Sequence, residues 1–328
     1  MGTDMGMNTG MHMGMEMSLE HVLLMALVRG LLVAGALLSI GASGFYCLVF
    51  APALSSMKGA ASGVKSAGES RARMLAAWAS ILFMAANAVS LFHEASMMSG
   101  LPVLKTLPAL PIVLLRTHFG MVWLLRTTLL AALIIAVAVR LPMVVILFLS
   151  ASAASTISLV SHAADAGNLS LPTAADTLHV LMISLWLGGL TTMCAVAGRA
   201  MRGFDGLEAR KRFLYEVLSR FSHLATVSVV VVLATGIYAA HLHLPGFLAI
   251  TQPSTYGKIL RAKHIFAVAT IGAGGVSRFF VLPGLKKAGT NGRLFRVFWA
   301  ALAFEMAFAA ATIAFAAVLS QEMPPFVG

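Results

Sequence analysis

Eight long stretches of this chain carry almost no charge, and short segments rich in Lys, Arg, Gly and Pro separate them. A helix needs roughly 20 apolar residues to cross about 30 Å of hydrocarbon. In lipid the backbone must bond to itself, so runs of this length predict helices. An outer-membrane barrel has shorter segments that alternate residue by residue. The pattern places helices at about 21–49, 74–99, 118–139, 142–164, 174–198, 221–244, 258–282 and 294–320. Pro52, Pro102, Pro142, Pro172, Pro245 and Pro283 punctuate their ends. The expected fold class is all-α: a polytopic membrane bundle of about eight transmembrane helices.

Composition agrees. Of 328 residues, 59% are hydrophobic and 11% charged, against about 25% charged in a soluble domain. The net charge of +11 raises the question of nucleic acid, but its placement answers otherwise. Lys58, Lys65, Arg71, Arg73, Arg140, Arg199, Arg202, Arg210, Lys211, Arg212, Arg220, Arg278, Lys286, Lys287, Arg293 and Arg296 fall on one side of the alternating runs. Lys105, Arg116, Lys258, Arg261 and Lys263 fall on the other. The richer side is expected to be cytoplasmic, so the partner is membrane lipid rather than nucleic acid. Both termini then face outward, away from the cytoplasm. The acidic N-terminal tail (Asp4, Glu16, Glu20) has nothing basic to oppose its export. The first run is too long for a signal-peptide core and lacks a basic flank, so it reads as the first span.

The chain looks duplicated. His21-Val22-Leu23-Leu24-Met25 opens the first helix and His179-Val180-Leu181-Met182 recurs in the fifth. Thr117-His118-Phe119-Gly120 with Arg126 matches Ser254-Thr255-Tyr256-Gly257 with Lys263 at the same spacing. Three parts follow: a Met/His-rich disordered tail (1–20), a first four-helix half (21–165) and a second (166–328). Four helices per half give both halves one orientation, so the repeats are parallel.

Histidine supplies the sharpest chemical signal. On this topology His12, His21, His93, His118, His162, His179, His241, His243 and His264 lie at or near the outer side, and His223 alone lies inward. A structural histidine has no reason to prefer a face, and ionisable groups within membrane helices are functional candidates. His21 and Met25, His93 and Met97, His118 and Met121, and His179 and Met182 sit three or four apart, on a shared helix face. Imidazole with thioether suits copper, and the thioether share favours Cu(I). Asp165 and Asp176 stand where a carboxylate can orient His162 and His179. His241 and His243 point about 200° apart on a helix and cannot chelate one ion unless the helix end is extended. In the tail, Met11-His12-Met13 sits among further methionines and reads as a flexible soft-metal bait.

Some features are quieter. Cys47 and Cys194 form no motif and read as small hydrophobes in helix packing. Arg29, Arg126 and Glu305 lie within helices, where each should face the bundle. An Arg29–Glu305 pair and a role on a translocation path both fit. Ser150, Ser152, Ser155, Thr156, Ser158 and Ser161 make a polar run best read as close helix packing. No phosphate loop is present, so ATP-driven pumping by this chain alone is not expected.

Asp176-Thr177-Leu178-His179 through Trp186-Leu187-Gly188-Gly189-Leu190 resembles the signature of the CopD family of bacterial copper-resistance membrane proteins. Ser161-His162-Ala163-Ala164, Arg220-Phe221-Ser222, Thr235-Gly236 and Thr255-Tyr256-Gly257-Lys258 fit the same family, over roughly residues 115–320. The resemblance implies an eight-helix inner-membrane protein, not an enzyme, that moves copper or confers tolerance, most often by uptake. It also implies a separate periplasmic CopC-like copper-binding partner. Of the candidate ligands it carries over only His162 and His179. Two alternatives stay open: a membrane b-type cytochrome with bis-His haem, using His21, His93, His179 and His241, and a copper-binding or sensing module that transports nothing.

Overall fold

The computed structural model describes residues 19–57, 62–243, 255–286 and 292–319. The described residues are almost entirely helical and contain no strand. Eight helices are long and apolar enough to cross a membrane, the shortest of them 18 residues. The Met-rich tail with Met11, His12 and Met13 lies outside the described residues, as do the side chains of His21 and His243.

The first span is α1 (Leu19–Phe45), continued by a π-helical turn (Tyr46–Phe50) and α2 (Ala51–Ser55). The second is α3 (Ser62–Ser99), closed by Gly100 at φ +67°, a left-handed cap that glycine adopts without strain. A short helix, α4 (Leu110–Arg116), lies outside the apolar runs and packs Val113 against Leu91 and Ala95 of α3. Then come α5 (His118–Ala138) and α6 (Met143–Ser155). The fifth span joins α7 (Leu171–Ile183), a π turn (Ser184–Gly188) and α8 (Gly189–Ala200). The last three are α9 (Leu207–His243); α10 (Thr255–Val276) with a π turn (Ser277–Val281) and α11 (Leu282–Lys286); and α12 (Gly292–Leu319).

Two helices start well before their apolar runs do. α3 and α9 begin 12 and 14 residues ahead of the expected 74 and 221. Those extensions are polar and carry i,i+3 and i,i+4 ion pairs: Glu69–Arg73 at 2.7 Å, Glu208–Lys211 at 2.9 Å and Glu216–Arg220 at 3.7 Å. Hydropathy registers only the part of a helix that lies in hydrocarbon. In the opposite sense, the fourth helix stops at Ser155. Two 3₁₀ turns follow, Ser158–Val160 and His162–Ala166, so His162 stands on a turn rather than on a transmembrane helix.

α1 is the central helix and touches α3, α6, α7, α8 and α12. It meets the fifth span backbone to backbone: a Cβ on Gly41 would fall inside the Gly188 backbone, and one on Gly188 inside Leu37 O. Without a hydrophobic drive between helices in lipid, small residues that allow such approach hold the pair. Phe45, Phe50 and Phe213, all fully buried, interlock below this contact with centroids 6.3 and 5.9 Å apart. The outer faces carry exposed Trp78, Ile112, Phe148, Val230, Val268 and Phe280. So much exposed apolar surface is what a bilayer covers.

Candidate metal centre

α1, α5, α7 and α10 begin at one end of the bundle, and α3, α6, α9 and α12 finish there. His93, His118, His162, His179, His241 and His264 lie in the half towards that end. Capping fixes two of the entries. Thr117 (φ −117°, ψ 151°) accepts from the Gly120 N–H at 3.0 Å and so starts α5 at His118. Ser170 caps α7, with Pro172 in its first turn.

The 3₁₀ turn bearing His162 is tied to α7. Thr173, buried, donates its hydroxyl towards Ala163 O at 3.0 Å and Gly167 O at 2.8 Å. Ser161 Oγ donates to Asp176 Oδ2 at 3.1 Å. His118 Nε2 meets Asn168 Oδ1 of the same connection at 3.1 Å. His118, His162 and α7 therefore share one rim. On it, His162 Nδ1 stands 3.6 Å from Asp165 Oδ2. Both groups are well exposed, so the pair orients weakly.

His179 sits deeper, half-buried in α7. Its Nδ1 lies 2.9 Å from Thr235 Oγ1 on α9. The single hydroxyl proton of Thr235 goes back to Val231 O at 2.8 Å, so towards His179 the oxygen accepts and Nδ1–H donates. The neutral ring then carries its lone pair on Nε2. Metal-binding histidines are commonly held in this way, by a second hydrogen bond on the far nitrogen. His264 is held alike: its Nδ1–H donates to Leu260 O at 2.7 Å.

Charge gathers behind these rings. Asp176 lies within electrostatic reach of Arg29, His179 and Lys263, and Glu94 within reach of Arg29. Arg29, Glu94, Asp176 and Lys263 come from four different helices. Arg126, 2% exposed, donates from Nε to Thr156 Oγ1 at 2.7 Å, from Nη2 to Thr156 O at 2.8 Å and from Nη1 to Asn87 Oδ1 at 3.2 Å. As expected, this charge faces the bundle, and part of the polar run at the end of α6 serves it. Glu305, 3% exposed, also faces inward. It accepts a hydrogen bond from Trp186 Nε1 at 3.2 Å rather than pairing with Arg29.

Met97 and Met121 are 50% and 59% exposed and point out of the bundle, and His118 and His241 are exposed too. Met182 is half-buried, with Sδ 4.0 Å from Ser228 Oγ. His93 is half-buried in the last turns of α3. α9 stays helical through His243, so its end is not extended. Among the described residues no three His, Cys, Asp or Glu side chains form a group able to hold a metal ion. The arrangement is a row of single oriented imidazoles around a charged interior.

Sequence reading passes over Asn87 and finds Thr156, Thr235 and Trp186 only as members of a polar run or a motif, without the group each one satisfies. Each works through a partner 30 to 119 residues away, and nothing local distinguishes them from packing residues.

Residues 215–319 match the family described as Copper resistance protein D, and residues 17–171 match the one described as Copper resistance protein D-like, N-terminal domain. His118 and His162 fall in the second match, His241 and His264 in the first, and His179 in the interval between them. No curated protein and no solved structure matches the chain.

Proposed function

We propose that this chain, which belongs to the copper resistance protein D family, takes up copper across the bacterial inner membrane from the end of the bundle that carries its histidines. That end is the periplasmic one in this reading, with both termini beside it. The tail methionines collect Cu(I), on its own or from a separate CopC-like carrier. His162 and His118 on the rim pass it to His179 inside the bundle. Met97, Met182, His21, His93, His241 and His264 serve as further soft or imidazole contacts along the way.

The observation that carries the proposal is the setting of His179. It is half-buried, its ring is held by Thr235 and the Val232 backbone, and a neutral ring so held keeps one nitrogen lone pair for a ligand. A neutral imidazole with one nitrogen anchored is a competent metal ligand. Single imidazoles spaced along a path bind weakly enough to release the ion, which passage requires. The half-buried charges Arg29, Glu94, Asp176 and Lys263 suit a polar route rather than a lipid-facing surface.

Copper content of cells expressing the protein tests this. The expectation is that His179→Ala abolishes the copper accumulation that the wild type adds, and that His162→Ala reduces it. Unchanged accumulation in both variants, with both proteins present in the membrane, would refute the proposed site.

A further inference from the structure

On the opposite side of the bundle, two sulfurs from different helices meet. Cys194 Sγ of α8 lies 3.5 Å from Met306 Sδ of α12. The two residues are 112 apart in sequence, and both are half-buried. Neither is part of the histidine row: Cys194 follows His179 by 15 residues, about 22 Å along the helix axis at 1.5 Å per residue. Arg199, one turn further on, belongs to the cation-rich end.

Their neighbours open onto space. Met193 and Glu305, each adjacent in sequence to one of the sulfur residues, line a cavity of about 240 Å³ between α9, α10 and α12. Trp186, Ser222, Thr226, Ser277 and Arg278 complete its polar lining. The cavity thus lies beside the α8–α12 contact, with the two sulfur residues next in sequence to its lining rather than part of it.

We propose that Cys194 and Met306 form a second Cu(I) site, close to the far side of the membrane, where copper is held after it leaves the histidines. This rests on the copper-transport reading above. Thiolate and thioether are the softest ligands a protein offers, and together they select Cu(I) over harder ions. Binding replaces the thiol proton of Cys194 with the metal, and the proton leaves as the sulfur–copper bond forms. The thiolate is a stronger ligand than a lone imidazole, so the gradient of ligand softness runs inward. Geometry asks little of the protein. With the ion between them at metal–sulfur bonds of roughly 2.3 Å, the two sulfurs stand about 4.6 Å apart. The unbranched Met306 side chain covers that difference by a small rotation.

The test uses the purified full chain in detergent with Cys47→Ser, so that Cys194 is the one thiol left, and Cu(I) alone under anaerobic conditions. Two readouts are taken together: bound copper per chain, and the rate at which N-ethylmaleimide alkylates Cys194. The expected result is severalfold slower alkylation when Cu(I) is bound. That protection is lost in Met306→Leu, a substitution of similar volume, and kept in His179→Ala. Copper bound stoichiometrically while Cys194 alkylates at an unchanged rate would overturn this site and leave the histidine reading standing. A chain that binds no Cu(I) at all would overturn both.

Discussion

A histidine inside a membrane bundle can pack, carry a proton or bind a metal, and the hydrogen bond on its far nitrogen decides among these. For His179 that bond goes to Thr235 Oγ1. Valine keeps the shape of threonine and removes the oxygen, so Thr235→Val frees the ring to rotate or change tautomer. The expected effect is a copper affinity lowered about 10–100-fold with folding preserved, measured by competition with a chromogenic Cu(I) chelator. Thr235→Ser should behave like the wild type. An unaltered affinity in the valine variant would show that the anchor does not matter. At this scale the sequence was partly legible. His179 and Arg126 announce themselves, because an ionisable side chain in an apolar run is costly to leave in lipid. The groups that satisfy them do not, because Thr235, Thr156 and Asn87 look like any polar residue in a tight bundle. The reading of Cys194 as a small packing residue rested on the absence of a nearby motif. Its partner Met306 lies on another helix, where local spacing cannot reveal it.

Helices were legible where hydrocarbon shapes them and obscure where it does not. The expected span at 118–139 agrees closely with α5. The polar starts of α3 and α9 were missed, since charged helical turns held by i,i+3 and i,i+4 pairs carry no hydropathy signal. The three π turns were missed as well: a π turn costs one extra residue per turn and leaves no mark on composition. One of them, Ser184–Gly188, lies where the fifth span presses on α1. Gly41→Ala pushes a methyl group into the Gly188 backbone, which cannot move as a side chain would. The expected cost is about 1–3 kcal/mol, read as a fall in thermal stability in detergent. Gly63→Ala, with nothing within 4 Å of the added carbon, should stay within about 0.5 kcal/mol of the wild type. Equal behaviour of the two variants would mean that the α1 contact is looser than the structure has it.

The whole molecule is an eight-helix membrane protein of a copper-resistance family, and its asymmetry is the basis of the functional account. Basic residues crowd one end and histidines the other, which the positive-inside rule converts into an orientation. Cysteines placed in a Cys-free background should report it: Leu169→Cys labelled by an impermeant maleimide on intact spheroplasts, and Asp205→Cys only after permeabilisation. The reverse pattern would turn the histidine end towards the cytoplasm and make the proposed direction export. The parallel repeat read from His21 and His179 stays a proposal at this scale, and the same orientation of both halves is what it requires.

The most direct test of the central claim is Cu(I) entry into sealed proteoliposomes that hold a chromogenic Cu(I) chelator, comparing the wild type with His179→Ala. The account predicts colour developing inside wild-type vesicles at a rate that saturates with external Cu(I), and a rate near that of empty vesicles for the variant. Wild-type vesicles that bind copper but never colour inside would contradict transport and leave a protein that only holds the metal.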